Sequence, residues 1–222
     1  MTPGESFHSK LAAGKIDAEN IADRIMEGEI SLESVLDGIS NKLPRVQFGC
    51  SKSLLLLSGK NPAALYKKID RVIELLSNEN QILKWNAIAM LGNMAAVDRK
   101  CRIEGLLPMF YGFLSSGELI AANHAMDALG KIGRTFPEER KQIALHLCGV
   151  ERESFDTDEC RNIAIGKAIQ ALEMFADFIN PAKSLIEFAR RQTGNRRPAT
   201  AKKAKALLGK LENPKSKSQK SR

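Results

Sequence analysis

The segment Ile82–Met94 reads Ile-Leu-Lys-Trp-Asn-Ala-Ile-Ala-Met-Leu-Gly-Asn-Met, and its pattern recurs four more times along the chain. With Ala87 as the reference, steps of 36, 38, 43 and 36 residues connect a column of small residues: Ser51, Ala87, Ala125, Ala168 and Ala204. Apolar residues predominate five positions before this column, four after it and seven after it, as in Ile82, Leu91 and Met94. We interpret these offsets as one face of an α-helix.

The repeat length indicates the architecture. A helical signature that returns every 36 to 43 residues is typical of a solenoid, in which each helix pair buries its apolar face against the next pair. A second apolar stripe precedes each copy, for example Leu32, Val35, Leu36 and Ile39 before the first. The sequence therefore predicts an all-α, right-handed α-α superhelix of about five helix pairs, preceded by a capping helix that Asp17 starts.

The two ends of the chain differ from the repeats in composition. Residues 1–15 contain proline and glycine with few apolar residues, and residues 215–222 contain no apolar residue. Segments that cannot bury apolar surface do not fold by themselves. We therefore predict a disordered N-terminus over residues 1–15, one solenoid domain over residues 16–211 and a basic disordered tail over residues 212–222.

The small column is part of a more specific pattern. The run Ala125, Ala128, Leu129 and Gly130 has counterparts in Ala87, Leu91 and Gly92 and in Leu208 and Gly209. Over residues 30–211 this pattern resembles the HEAT-repeat family. That family usually has an arginine directly after the apolar position that lies five residues before the small column. In this chain that site is occupied by Gln47, Leu83, Ala121, Ala164 and Thr200. HEAT and armadillo-like arrangements both remain compatible with the pattern. The resemblance implies that the second helix of each pair lines a concave face.

Composition restricts the classes of protein to which the chain can belong. Hydrophobic residues make up 43% of the 222 residues, which is typical of a folded soluble domain. The longest aliphatic run, Leu54–Leu57, is much shorter than the roughly 18–20 residues that cross a bilayer. The four cysteines show neither zinc-ribbon nor disulfide-scaffold spacing. We expect a cytoplasmic protein with free thiols and no membrane span.

The net charge of +8 is concentrated at one end. Residues 1–181 carry 21 Lys and Arg against 24 Asp and Glu, whereas residues 182–222 carry 13 against 2. A block of one sign suggests an acidic partner or a phosphate backbone. The predicted basic patch consists of Arg190, Arg191, Arg196, Arg197 and Lys202.

We find no catalytic motif in the sequence. The three histidines lack the spacing of a metalloprotease helix, and no nucleophile elbow is present. His146, Cys148 and Cys160 supply three potential zinc ligands, but no fourth ligand is specified. The sequence therefore predicts no catalytic residues, no metal and no cofactor.

The candidate binding residues lie on the inner helices, outside the predicted core stripe. They occupy positions one before and six after the small column, and the resemblance implies that they line the groove. With the lone tryptophan, which we expect to be either packed between helices or an exposed anchor, the set is Trp85, Asn86, Asn93, His124, Lys131, Lys167, Lys203 and Lys210. This face becomes more basic towards the C-terminus, which suggests an acidic peptide or a phosphate backbone.

Two functions remain open from the sequence. The first is a non-enzymatic interaction scaffold that binds a protein or peptide partner through its concave face. The second is nucleic-acid binding, in its most specific form a relative of the HEAT-like alkylpurine DNA glycosylases. In that family aromatic side chains and an aspartate line the lesion site, and here Trp85 and Asp127 are the candidates.

Overall fold

The computed structural model describes residues 6–180 and 182–212. Within these ranges the chain forms thirteen α-helices, several of them extended by 3-10 turns, and no β-strand. None of the helices in the described ranges has the length and apolar character to cross a membrane. The chain divides into two compact units, one ending at Lys100 and the other starting at Cys101. Since the repeats continue through this point in the sequence, their pattern did not indicate a division.

Unit 1 contains seven α-helices among its described residues. They are α1 Phe7–Ala12, α2 Ala18–Met26, α3 Leu32–Gly38, α4 Pro44–Lys60, α5 Pro62–Tyr66, α6 Ile69–Glu74 and α7 Gln81–Met94. The predicted capping helix is α2, where Asp17 accepts a hydrogen bond from the backbone N–H of Asn20 at 2.9 Å. Helices α4 and α7, the inner helices of this unit, pack against each other.

Helix α1 corrects the prediction that residues 1–15 are disordered. Ser6 caps it by accepting a hydrogen bond from the N–H of Ser9, and Leu11 is buried. Leu11 lies over Gly49 of α4, where a Cβ atom would approach the leucine side chain to 2.7 Å. This contact joins residues far apart in the sequence, so local composition did not reveal it. Residues 1–5 lie outside the described part of the chain.

Unit 2 contains six α-helices among its described residues. They are α8 Leu107–Leu114, α9 Leu119–Thr135, α10 Arg140–Gly149, α11 Asp158–Glu173, α12 Lys183–Gln192 and α13 Pro198–Glu212. The inner helices α9, α11 and α13 pack in that order, and the outer helices α8, α10 and α12 each pack on the inner helix that follows. The tail predicted over residues 212–222 lies outside the described residues except for Glu212.

The predicted small column forms part of the core. Its five members, Ser51, Ala87, Ala125, Ala168 and Ala204, are all fully buried. The column seven positions later is buried as well, and consists of Ser58, Met94, Ile132, Phe175 and Leu211. The helical periodicity that defined these two columns is therefore confirmed.

The sequence pattern placed the residues five positions before the small column on the buried face. Val46 is buried, but the four later members of this column are not. Ile82 and Ile120 are 43% and 48% exposed, whereas Leu83 and Ala121, four positions before the column, are buried. Four residues return an α-helix to within about 40° of the starting direction, but five residues rotate it about 140° away. The isoleucines therefore belong to the exposed face of the inner helices.

Glycines allow the inner helices of unit 2 to approach closely. A Cβ atom on Gly130 of α9 would lie 3.0 Å from the Cα of Ala171 in α11, and one on Gly166 would lie 2.6 Å from Oγ1 of Thr200 in α13. Thr200 in turn donates a hydrogen bond to the carbonyl of Asn162 at 2.9 Å. Gly130, the glycine of the Ala-Leu-Gly pattern in α9, thus has a packing role.

Candidate functional site

An open cavity of about 350 Å³ lies on the exposed face of the inner helices of unit 2. We call it the α9–α13 cavity. Helix α9 contributes three lining residues and α11 contributes three, while α13 and the turn before it contribute one each. The lining residues are Asn123, His124, Asp127, Ile163, Lys167, Gln170, Lys203 and Arg197.

Helix geometry explains why these residues share one surface. His124, Lys167 and Lys203 all lie one residue before the small column, so they point in the same direction from three adjacent parallel repeats. Ile163 lies one turn before Lys167, at the position that the sequence analysis had assigned to the core. Three of the eight predicted groove residues are therefore brought together in this cavity.

The charges in the cavity are unequal. Lys167 Nζ lies 2.7 Å from Oδ1 of Asp127, and Arg197 Nε donates to Oε1 of Glu159 at 2.9 Å. Lys203 is the third cation that lines the cavity, and no described carboxylate lies within ion-pair distance of it. Two of the three lining cations are therefore in ion pairs with described carboxylates, and Lys203 is not.

The surroundings of Lys203 and Lys131 disfavour the charged forms of these two side chains. Partial burial lowers the pKa of Lys203, the nearby positive charges of Arg197 and Lys167 lower it further, and attraction to Glu173 partly opposes them. Burial also lowers the pKa of Lys131, one turn after Asp127 on α9; attraction to Asp127 opposes this and repulsion from Lys167 adds to it. An anion bound among these groups would offset their mutual repulsion.

Asn123 was missed as a candidate by the sequence analysis. Its Oδ1 atom is buried and accepts no hydrogen bond from the described residues. A buried acceptor without a donor costs free energy, and a ligand N–H or O–H group can recover it once the Asn123 side chain turns towards the cavity. Asn123 lies two residues before the small column, the position that Trp85 occupies in the preceding repeat, and this shared position was its sequence signal.

His124 makes the stability of the fold depend on pH. Burial lowers its pKa, an effect only partly opposed by Asp127 and reinforced by Lys167 and Lys131. The unfolded chain binds this proton near the ordinary pKa of about 6.5. Below that pH the unfolded state holds more protons than the folded state, so the stability present above about pH 6.5 is lost as the pH falls.

We therefore expect His124→Gln to lose less stability than the wild type between about pH 7.5 and about pH 5.5. Denaturant midpoints of both proteins at the two pH values measure this difference. His146, whose pKa burial also lowers, is present in both proteins and cancels in the comparison. Equal losses in the two proteins would show that His124 titrates alike in the folded and unfolded states.

The predicted groove residues of unit 1 make contacts within the fold. Asn86 Nδ2 donates to Oγ of Ser51 at 2.8 Å, and Asn93 Nδ2 donates to Oγ of Ser58 at 2.8 Å. These two hydrogen bonds join α7 to α4. Trp85 is half-buried on α7, so it is neither fully packed between helices nor a fully exposed anchor. The asparagines thus hold neighbouring inner helices together, and their part in binding stays a prediction.

The predicted basic patch is largely engaged in ion pairs. Arg190 lies 2.8 Å from Glu212, and Arg191 lies 2.6 Å from Glu151, which also accepts a hydrogen bond from Gln192 at 2.8 Å. Arg197 pairs with Glu159 and lines the cavity, whereas Arg196 and Lys202 are exposed. The last predicted groove residue, Lys210, is exposed near the end of α13. The carboxylates come from the preceding repeat and from the end of α13.

Two of the potential zinc ligands, His146 and Cys148, lie in environments that do not resemble a metal site. His146 stacks on Tyr111, with the ring centroids 3.7 Å apart. Burial raises the pKa of Cys148 to about 12, and Glu151 raises it as well. Metals bind the thiolate form of cysteine, so this environment opposes metal binding at Cys148.

The chain resembles known proteins in structure but not in sequence. No protein-family model matches it, and no curated protein matches it either. The designed armadillo repeat protein YIII(Dq)4CqI has a TM-score of 0.62 with 17% identity, over 92% of this chain and 90% of the designed chain. A second designed armadillo repeat protein, solved in complex with the peptide (KR)4, has a TM-score of 0.63 with 15% identity over the same shares.

An engineered protein from a structural genomics programme has a TM-score of 0.63 with 20% identity, over 96% of this chain and 95% of that protein. At these identities the likeness concerns the fold alone. The class that the fold defines is the α-α solenoid built from armadillo/HEAT-like helical repeats. The sequence prediction of that fold is confirmed.

Proposed function

We propose that this protein is a non-enzymatic interaction scaffold that binds an extended acidic segment of a partner protein. The binding surface is the exposed face of α9, α11 and α13. The observation that carries the proposal is the α9–α13 cavity, where Lys167, Arg197 and Lys203 converge and Asp127 is the only lining carboxylate among the described residues.

The chemistry of the cavity favours a peptide as the ligand. The cations require an anion, and Asn123 Oδ1 requires a hydrogen-bond donor. An acidic peptide supplies both, because each non-proline residue carries a backbone N–H and the side chains carry carboxylates. A phosphodiester backbone offers only acceptors, so in a nucleic acid the donor would have to come from a base. The paired arginines near α13 also leave less free charge for a phosphate backbone.

One structural neighbour supports a peptide as the kind of ligand. It was solved with a peptide of alternating lysine and arginine, so a repeat array of this kind accommodates a charged peptide. In the present chain the cations belong to the scaffold. The complementary ligand therefore has the opposite charge, and its binding should weaken as salt screens the attraction.

A labelled peptide of alternating Glu and Ser tests the proposal by fluorescence anisotropy. We expect it to bind the wild type at low salt, and we expect Lys203→Glu to weaken binding by about tenfold, since attraction is replaced by repulsion. Lys205→Glu is the matched control, because Lys205 lies on the same helix, is exposed and does not line the cavity.

A labelled single-stranded oligonucleotide provides the competing arm of the experiment. The scaffold proposal requires the acidic peptide to bind more tightly than the oligonucleotide at the same salt concentration. Tighter oligonucleotide binding, unaffected by Lys203→Glu, would instead favour the nucleic-acid alternative through the basic C-terminal residues. Equal effects of Lys203→Glu and Lys205→Glu would contradict the role of the cavity.

A further inference from the structure

The ion pairs of the α9–α13 cavity limit the negative charge that a ligand can bring into it. Asp127 already neutralises Lys167 at 2.7 Å, and Glu159 already neutralises Arg197 at 2.9 Å. Lys203 is left without a carboxylate at ion-pair distance among the described residues. Glu173 also attracts Lys203, from beyond ion-pair distance. Among the lining residues one negative charge balances the remaining cation, whereas a second would have to compete with carboxylates that are already in place.

We propose that the cavity selects an unmodified acidic residue over a phosphorylated one, and that Asp127 determines this selectivity. The inference rests on the proposed function, since it concerns the same site and the same class of peptide. A glutamate or aspartate carries one charge, while a phosphoserine carries about −1.5 to −2 at neutral pH. The additional charge lies close to Asp127, which lines the cavity, so like-charge repulsion opposes it.

The position of Asp127 fits a role in selectivity. It lies on α9 one turn after Asn123, and Lys167 holds its carboxylate at the wall of the cavity. It is also partly exposed, so replacing it does not remove a core contact. Asp127→Asn keeps the size and polarity of the side chain and removes its charge. Lys167 would then be available to a second negative charge.

The test compares two capped, labelled peptides of the same neutral sequence, one with a central glutamate and one with a central phosphoserine. They are titrated at a pH above the ordinary pKa of histidine, so that His124 stays neutral. For the wild type we expect the glutamate peptide to bind about threefold more tightly than the phosphoserine peptide.

For Asp127→Asn we expect the order to reverse, because the phosphoserine peptide should gain about tenfold and the glutamate peptide less. Asp156→Asn is the matched control, since it removes the same charge from an exposed position of unit 2 that does not line the cavity. The control should leave the order of the two peptides unchanged.

Two results would overturn the inference. One is a wild type that prefers the phosphoserine peptide. The other is an Asp127→Asn variant that changes both affinities by the same factor. If in either case Lys203→Glu still weakens the glutamate peptide, only the selectivity is refuted and the acidic-peptide scaffold stands. If neither peptide binds the wild type, the proposed function fails, and the selectivity fails with it.

Discussion

Replacing Phe175 with alanine should lower the free energy of unfolding by about 3–5 kcal/mol, because the substitution empties a large volume in the core. Phe175 is fully buried two residues after the end of α11, in the column seven residues after Ala168. Its ring occupies the space above Gly133 of α9, where a Cβ atom would come within 2.9 Å of it. The lost ring therefore affects the contact between two inner helices.

Phe178 provides a matched control three residues later. Its side chain is 55% exposed, so Phe178→Ala should lower the free energy of unfolding by less than about 1 kcal/mol. Urea unfolding followed by circular dichroism measures both changes. Similar losses for the two variants would show that the burial of Phe175 contributes little and would contradict the packing described for α9 and α11.

Replacing Gly130 with valine should lower the free energy of unfolding by about 2–3 kcal/mol through overpacking. The added side chain would meet the Cα and carbonyl oxygen of Ala171 at 3.0 and 3.1 Å. These are backbone atoms of α11, so relief requires the whole helix to shift. The added Cβ would also crowd Sδ of Met174 at 2.7 Å, but that flexible side chain can move aside.

Gly209→Val separates this clash from the intrinsic helix preference of the two residues. Gly209 lies in α13, and no atom would lie within 4 Å of its added Cβ. Valine and glycine differ by only about 0.4 kcal/mol in helix propensity, so stability should change little at this position. A large loss at Gly209, or none at Gly130, would contradict the close approach of α9 and α11. Thermal and urea midpoints of the two variants provide the measurement.

The helices and their order could be predicted because their signals are local. Asp17 caps α2, as the sequence predicted, and Thr157 caps α11. Pro44 and Pro62 lie in the first turns of α4 and α5. The small column identified the buried face of every inner helix. The prediction that Ile82 and Ile120 are buried was wrong because residues five positions apart were assigned to the same helix face. Five residues turn an α-helix about 140° away from the starting direction.

The candidate site was predictable only in part, because its electrostatics depend on contacts between repeats. His124, Lys167 and Lys203 shared an offset that the sequence could show. The carboxylates of Glu151 and Glu159, however, pair with Arg191 and Arg197 from 40 and 38 residues away. Side-chain reach across a helix interface determines such pairs. The predicted basic patch consequently carries less free charge than its composition suggests.

The paired asparagines of α7 have a consequence for how uniquely unit 1 is folded. Smooth surfaces of alanine and leucine allow one helix to slide along another at small cost. Asn86 and Asn93 are seven residues apart, as are their partners Ser51 and Ser58, so a slide of one residue, about 1.5 Å, would break both hydrogen bonds together. Buried hydroxyl and amide groups would then lose their partners. The asparagines therefore favour one axial register of α7 on α4.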